Sequence, residues 1–156
     1  MKKIDLGQTL GLLANVGVIA GIVFLAIELH QNNELLEAEA NLELARNRIS
    51  ANETLLANGE LATAFLRGLE GQELSALDQF RLQRFYISVF TRWEWEYSRF
   101  LDGLIDEAAL PVRSWREAMR TWPGVMDVWE STSVYDRTQV FVEFMEQNVL
   151  SEASQR

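Results

Sequence analysis

Leu6 to Ile27 is a run of 22 residues without a charge. As a helix rising about 1.5 Å per residue it covers about 33 Å, enough to cross a hydrocarbon core of about 30 Å. Gln8, Thr9 and Asn15 are its only polar residues, and Val16 to Ile27 is wholly apolar. A core helix of a water-soluble protein is usually shorter and rarely so free of charge. The run therefore predicts a membrane span. A cleaved export signal shares the positive start, Lys2-Lys3, but its apolar region is shorter and is followed promptly by a small-residue cleavage site. The first such pattern here, Ala38-Glu39-Ala40, lies well downstream inside a helical pattern. A retained anchor is the expectation.

Charge bears on the side of the membrane and on partners. Lys2 and Lys3 are the only lysines, and the nearest basic residues after the span are Arg46 and Arg48. The positive-inside rule then predicts a cytoplasmic N-terminus and an exported domain. From Glu28 onward there are 22 acidic residues and 12 arginines, a balance of −10. That argues against nucleic acid as a partner, which needs a basic face. It also argues against an aqueous domain lying on anionic lipid. The chain has no cysteine, so disulfides, thiolate nucleophiles and cysteine metal sites are excluded.

One pattern runs through span and aqueous region without slipping phase. With Gly7 at heptad position a, the a positions continue as Ala14, Gly21, Glu28, Leu35, Leu42, Ile49 and Leu56. The d positions read Leu10, Gly17, Phe24, Gln31, Ala38, Ala45 and Asn52. In lipid, small residues let helix backbones approach closely, and Gly7/Gly11 and Gly17/Gly21 have the four-residue spacing for it. In water, Leu and Ile at a bury area worth about 25 cal/mol per Å². The expected helix–helix association residues are Gly7, Gly11, Ala14, Gly17, Gly21, Leu35, Leu42 and Ile49, unless the aqueous part of the stripe packs on the chain's own later helices. Glu28, His30 and Gln31 mark where hydrocarbon ends. A single helix from near Leu6 to about Ala57, about 75 Å long, is predicted to stop at Asn58-Gly59, both tolerant of a left-handed helix end.

The remainder reads as helices. Glu60 to Gly68 predicts a short one with Leu61, Phe65 and Leu66 inward. Ser75 is a good N-cap, with Asp78 three residues on. Ala76 to Asp102 contains no Gly or Pro and carries eight of the sixteen aromatics. Phe90, Trp93, Tyr97, Phe100 and Leu104 share a face, while Phe85 and Val89 are expected elsewhere around the helix, which makes it central. Its interleaved charges suggest the pairs Arg92–Glu96 and Glu96–Arg99. Asp106 can cap a helix toward Thr121, kinked or restarted at Pro111. Pro123 can open a short helix through Glu130, Ser131-Thr132-Ser133 reads as a loop, and Asp136 to about Leu150 as a last amphipathic helix. The fold class expected is all-α: an N-terminal transmembrane helix continuing into a long helix, then a small helical bundle. The predicted divisions are a membrane anchor over 1–29, its extension over 30–57, a bundle over 58–150 and a frayed tail over 151–156.

Catalytic patterns are scarce. His30 is the only histidine, and no Glu-x-x-His pair exists for a di-metal bundle. No Gly-x-Ser-x-Gly elbow, P-loop or dinucleotide fingerprint occurs. Glu94/Glu96 and Asp106-Glu107 could in principle serve carboxylate-dependent hydrolysis. Glu94 and Glu96 are two apart and so do not share a helix face, and acids gather at helix ends for capping. No enzyme, metal or cofactor is expected. Trp93, Trp115, Trp122 and Trp129 form a possible aromatic platform for lipid, glycan or a partner helix, or else ordinary core anchors.

The segments FLAIELHQNN, LATAFLRGL and RFYISVFTRWEWEYSRFLDGLIDEAAL, in this order after an apolar span, resemble a loose group of uncharacterised small bacterial single-span membrane proteins with an aromatic-rich helical domain. Gln31-Asn32 matches a Gln-Asn pair at the end of their span. Gly103-Leu104-Ile105-Asp106-Glu107 matches the turn that ends their aromatic helix. The resemblance implies a bacterial inner-membrane protein and no particular activity. Such proteins carry basic residues just after the span, implying a cytoplasmic domain. Here that region is acidic, and the chain's own charges favour the periplasm. The functional expectation is a membrane-anchored scaffold or accessory subunit, in contact with membrane lipid, that forms a homo-oligomer or joins a larger membrane complex. The rival expectation is a helical module that senses a lipid or small apolar ligand in an aromatic pocket.

Overall fold

A computed structural model describes residues 6–151, with side-chain surroundings for 10–50 and 53–151. The described residues are helical with no strand: a long N-terminal helix followed by shorter helices that form a small bundle. Helix α1 spans Leu6–Ala57, α2 Gly59–Leu69, α3 Ala76–Leu101, α4 Val112–Thr121, α5 Val125–Asp136 and α6 Gln139–Met145. A 3-10 turn, Glu107–Ala109, precedes α4, and a π-helical turn, Glu146–Leu150, continues α6. Lys2, Lys3 and the expected tail beyond residue 151 lie outside the described residues.

The chain divides into two compact units, one ending at Glu39 and the other beginning at Ala40. The division falls within the predicted 30–57 extension of the anchor. In the first unit every residue of α1 from Leu10 to Glu39 is exposed. His30 Nε2 lies 3.3 Å from Glu34 one turn on, with both side chains open. This helix is long and apolar enough to cross a membrane.

In the second unit the last turns of α1 belong to the bundle because Ala40 and Leu44 are buried and Leu55 is partly so. Asn58 follows α1, but not as the left-handed stop its sequence suggested. Its φ is −108°, and its side chain accepts a hydrogen bond from Leu61 N at 3.1 Å, so it caps α2. On α2 the inward residues are Leu61 and Ala64, with Phe65 half-buried; Leu66, expected inward, is exposed. The face Leu61–Ala64–Gly68 explains the difference. A Cβ on Gly68 would lie 2.7 Å from Pro123 Cβ and Cγ, so this face runs against the α4–α5 connection where no side chain fits.

α3 is the core of the bundle. Ser75 caps it as predicted, its Oγ accepting from Asp78 N at 3.1 Å. Leu82, Phe85, Tyr86, Val89, Phe90, Trp93, Glu96 and Tyr97 are buried on it. At about 100° per residue these fall on one face about 140° wide. Phe85 and Val89 therefore widen the main apolar face instead of opening a second one. The helix is still central: Tyr97 stacks on Phe144 at 4.2 Å, Phe90 meets Trp129 edge-on at 5.2 Å, and Trp93 stacks on Trp115 at 5.3 Å. Gly103 ends it with φ 71°, which lets Leu104 N reach Arg99 O at 2.9 Å.

Pro111 restarts the chain as α4, the second of the two outcomes its position allowed. α5 is longer than the sequence suggested, because Ser131-Thr132-Ser133 is helical and not a loop. Ser131 Oγ and Thr132 Oγ1 both donate back to Val128 O, at 3.1 and 2.7 Å, and Ser133 is buried. Hydroxyls bonded to the preceding turn mimic loop composition while leaving the helix intact. The last helix starts three residues later than predicted because Arg137 is extended at its head, with φ −125°.

Candidate functional site

Two features stand out from ordinary core and surface. The first is the outward side of α1 in the second unit. Ala40, Leu44 and Leu55 face the bundle, whereas Leu42, Ile49 and Leu56 are 53%, 58% and 80% exposed. At about 100° per residue the two sets are centred about 150° apart. The heptad a stripe is thus not the face used within the chain, and α1 carries two apolar faces. In the first unit Leu35 and Ala14 are also exposed. A Cβ added at Gly11, Gly17 or Gly21 would meet nothing within 4 Å, so no side chain among the described residues covers these glycines. The surroundings of Gly7 lie outside the described residues.

The second feature is Glu96. It is buried among the core residues, at 1% exposure. It lies on the face of Val89, Trp93 and Phe100, at the helical spacings three, four and seven. Its nearest cation is Arg48 from α1, with Nη2 3.9 Å from Glu96 Oε2, beyond hydrogen-bond range. Oε2 has no hydrogen-bond partner. Arg48 Nη2 donates instead to Ala109 O, and Arg92 Nη1 donates to Asn47 O. Arg99, the other predicted partner, pairs with Asp102 at 3.1 Å and lies over the Trp95 ring. Burial pushes the Glu96 carboxyl up to about 7, against the opposing pull of Arg48 and Arg92.

A cavity of about 280 Å³ opens beside Glu96, between Arg48, Arg92 and helix α4. The four tryptophans singled out in the sequence are in or against the core. Trp93, Trp115 and Trp129 are buried and Trp122 is half-buried. Trp93, Trp115 and Trp122 line this cavity, while Trp129 packs away from it against Phe90 and Phe141. Arg48 and Glu96 were missed as a pair because they are 48 residues apart in sequence. The available clue was the place of Glu96 on an apolar face.

The other carboxylates do not join it. Glu94 points to the α5–α6 connection, where it accepts from Thr138 N at 2.7 Å and Arg137 Nη1 at 3.2 Å. Asp106 and Glu107 are exposed. Among the described residues no group of three or more His, Asp or Glu side chains is placed to hold a metal ion.

The displaced titration of Glu96 gives a stability prediction. A carboxyl whose folded value is raised binds more protons when folded than when unfolded, so stability falls as pH rises between about 4.5 and about 7 and levels off above. Glu94 is held below its usual range: burial raises it, but is outweighed by the Thr138 and Arg137 hydrogen bonds and the Arg137 charge. Its contribution is therefore lost only on the acid side of that window. Glu96→Gln is expected to flatten the decline between pH 5 and 7 and to raise the unfolding temperature at pH 8. A decline of unchanged slope in the variant would assign the titration to another group.

No family model matches the chain, and neither does any curated protein or solved structure.

Proposed function

We propose that the protein is a single-span protein of a bacterial inner membrane, with its bundle on the periplasmic side. In this reading it self-associates through α1 as a scaffold or as an accessory subunit of a larger membrane assembly. The carrying observation is the second apolar face of α1, Leu42, Ile49 and Leu56, left open while Ala40 and Leu44 on another face are buried. Single exposed leucines are ordinary on protein surfaces. A heptad series on a helix already anchored by its other face is different, because the apolar row is presented to a partner. The acidic flanks Glu34, Glu37, Glu39 and Glu43 disfavour anionic lipid as that partner. The open small residues Gly17 and Gly21 support close approach of a second span.

The test is Leu42→Gln combined with Ile49→Gln in the full chain, reconstituted in nanodiscs. Both side chains are exposed in the protomer, so its unfolding should shift by no more than about 0.5 kcal/mol. Self-association should weaken by about a hundredfold or more, since a symmetric contact loses each side chain twice. A protein that is monomeric before the substitutions, or equally associated after them, contradicts the reading.

A second reading, a helical module that binds a small ligand, is favoured by one observation: the unpartnered Glu96 beside its tryptophan-lined cavity.

A further inference from the structure

The Glu96 cluster is unusual as an architectural ion pair. Buried carboxylates that serve only stability are normally saturated with hydrogen bonds, since an unpaired one is expensive. Here the carboxyl is fully buried, its Oε2 is unbonded, and the arginine beside it stands 3.9 Å away. Both arginines hold their positions by donating to backbone carbonyls of other segments, Asn47 O and Ala109 O. The helices thus fix two guanidiniums over one carboxyl, leaving at least one positive charge uncompensated. The charged groups acting on Glu96 are Arg48 from α1 and Arg92 from α3 itself; α4 contributes Ser114, Trp115 and Ala118 to the cavity, and the segment before it contributes Pro111, none of them titratable.

We infer that this cavity binds a small carboxylic acid with an aromatic or branched apolar body, its carboxylate held between Arg48, Arg92 and the Glu96 carboxyl. The excess positive charge selects an anion over an amine. Guanidiniums match carboxylate geometry and retain further N–H donors beyond those already bonded to backbone. The apolar walls, Trp93, Trp115, Trp122, Val89 and Ala118, accept the body of the ligand. A volume of about 280 Å³ admits a single-ring acid. Arg48 is 43% exposed at its side chain, which gives a route in from solvent. Glu96 then has a defined part. Because burial has already raised it to about 7, it can be protonated near neutral pH and donate to the bound carboxylate. Above about pH 7, binding is therefore coupled to uptake of one proton. The inference does not depend on self-association.

The experiment uses the full chain in nanodiscs, titrated with 3-phenylpropionate by calorimetry and by the fluorescence of the cavity tryptophans. The neutral 3-phenylpropan-1-ol and the cationic 3-phenylpropylamine serve as comparisons. The acid should saturate at pH 6 and bind at least about tenfold tighter than either analogue. Above pH 7 its affinity should fall by about tenfold per pH unit. Glu96→Gln keeps a donor at the same place and should retain binding while losing that pH dependence. Arg48→Gln, at a half-exposed position, should weaken binding at least about tenfold in a chain whose circular dichroism remains that of the folded protein. The pH profile of the wild-type chain decides the matter even where a variant folds poorly. Lack of saturation at about 10 mM acid, tighter binding of the amine or alcohol, or affinity that is flat from pH 6 to 9 would each overturn the inference.

Discussion

Trp115→Ala is expected to lower the unfolding free energy of the bundle by about 3–5 kcal/mol, the range for deleting a large aromatic from a packed core. Trp115 is among the largest fully buried side chains, at 1% exposure. It stacks on Trp93 at 5.3 Å and meets Phe141 and Phe144 edge-on at 6.4 and 6.3 Å. It therefore joins α4 to both α3 and α6. No single neighbour can move in to fill the void, because each of these rings has other partners: Phe90 for Trp93, Trp129 for Phe141 and Tyr97 for Phe144. Trp115→Phe keeps a ring and should lose less than half as much. Equilibrium denaturation of the full chain in mild detergent, followed by circular dichroism, makes the comparison. A loss below about 1 kcal/mol for the alanine variant would mean that the α4 contact is peripheral.

Arg137→Ala should rank next, at about 3 kcal/mol. Arg137 sits in the extended connection between α5 and α6, and its side chain is 4% exposed. It donates to Thr91 Oγ1 and Ile87 O, both at 3.0 Å, and to Glu94 Oε2 at 3.2 Å. These three acceptors lie along one side of α3, so the arginine pins the α5–α6 connection to the central helix. Removal leaves a half-buried carboxylate held by Thr138 alone, through its backbone N–H and its side chain. Arg137→Lys preserves the charge but cannot span three acceptors, and should recover only part of the loss. If Glu94→Gln and Arg137→Ala together were as destabilising as the sum of the two alone, the two groups would not be coupled and this account of the connection would fail.

The sequence is most legible where punctuation and length leave few options. The uncharged run and the absence of Gly and Pro from Ile22 to Ala57 specify α1, and Ser75 and Gly103 bracket α3. Prediction fails where polar side chains serve the backbone instead of water. Ser131 and Thr132 bond back within α5 and so resemble a loop. Arg137, hidden in the α5–α6 connection, delays α6 by its extended backbone. Glu96 is the instructive case. Interleaved charges at 92, 94, 96 and 99 suggested pairs along α3, yet position 96 belongs to the buried face of Val89 and Trp93. A long-range cation, Arg48, joins Arg92 beside it, while Arg99 pairs with Asp102 instead. On α1 the heptad stripe was visible, but its role was ambiguous between partner chain and own bundle. Ala40 and Leu44 resolve which face the bundle takes, and alanine is too small to have marked that face in advance.

The open face of α1 is tested most directly by cross-linking, for which a chain free of cysteine is well suited. Ile49→Cys and Thr54→Cys each place one exposed thiol on α1, about 140° apart around the helix. After mild oxidation in native-like membranes, Ile49→Cys should form a disulfide-linked dimer in high yield and Thr54→Cys should remain single. Equal cross-linking at the two positions, or none at Ile49, would contradict association through this stripe.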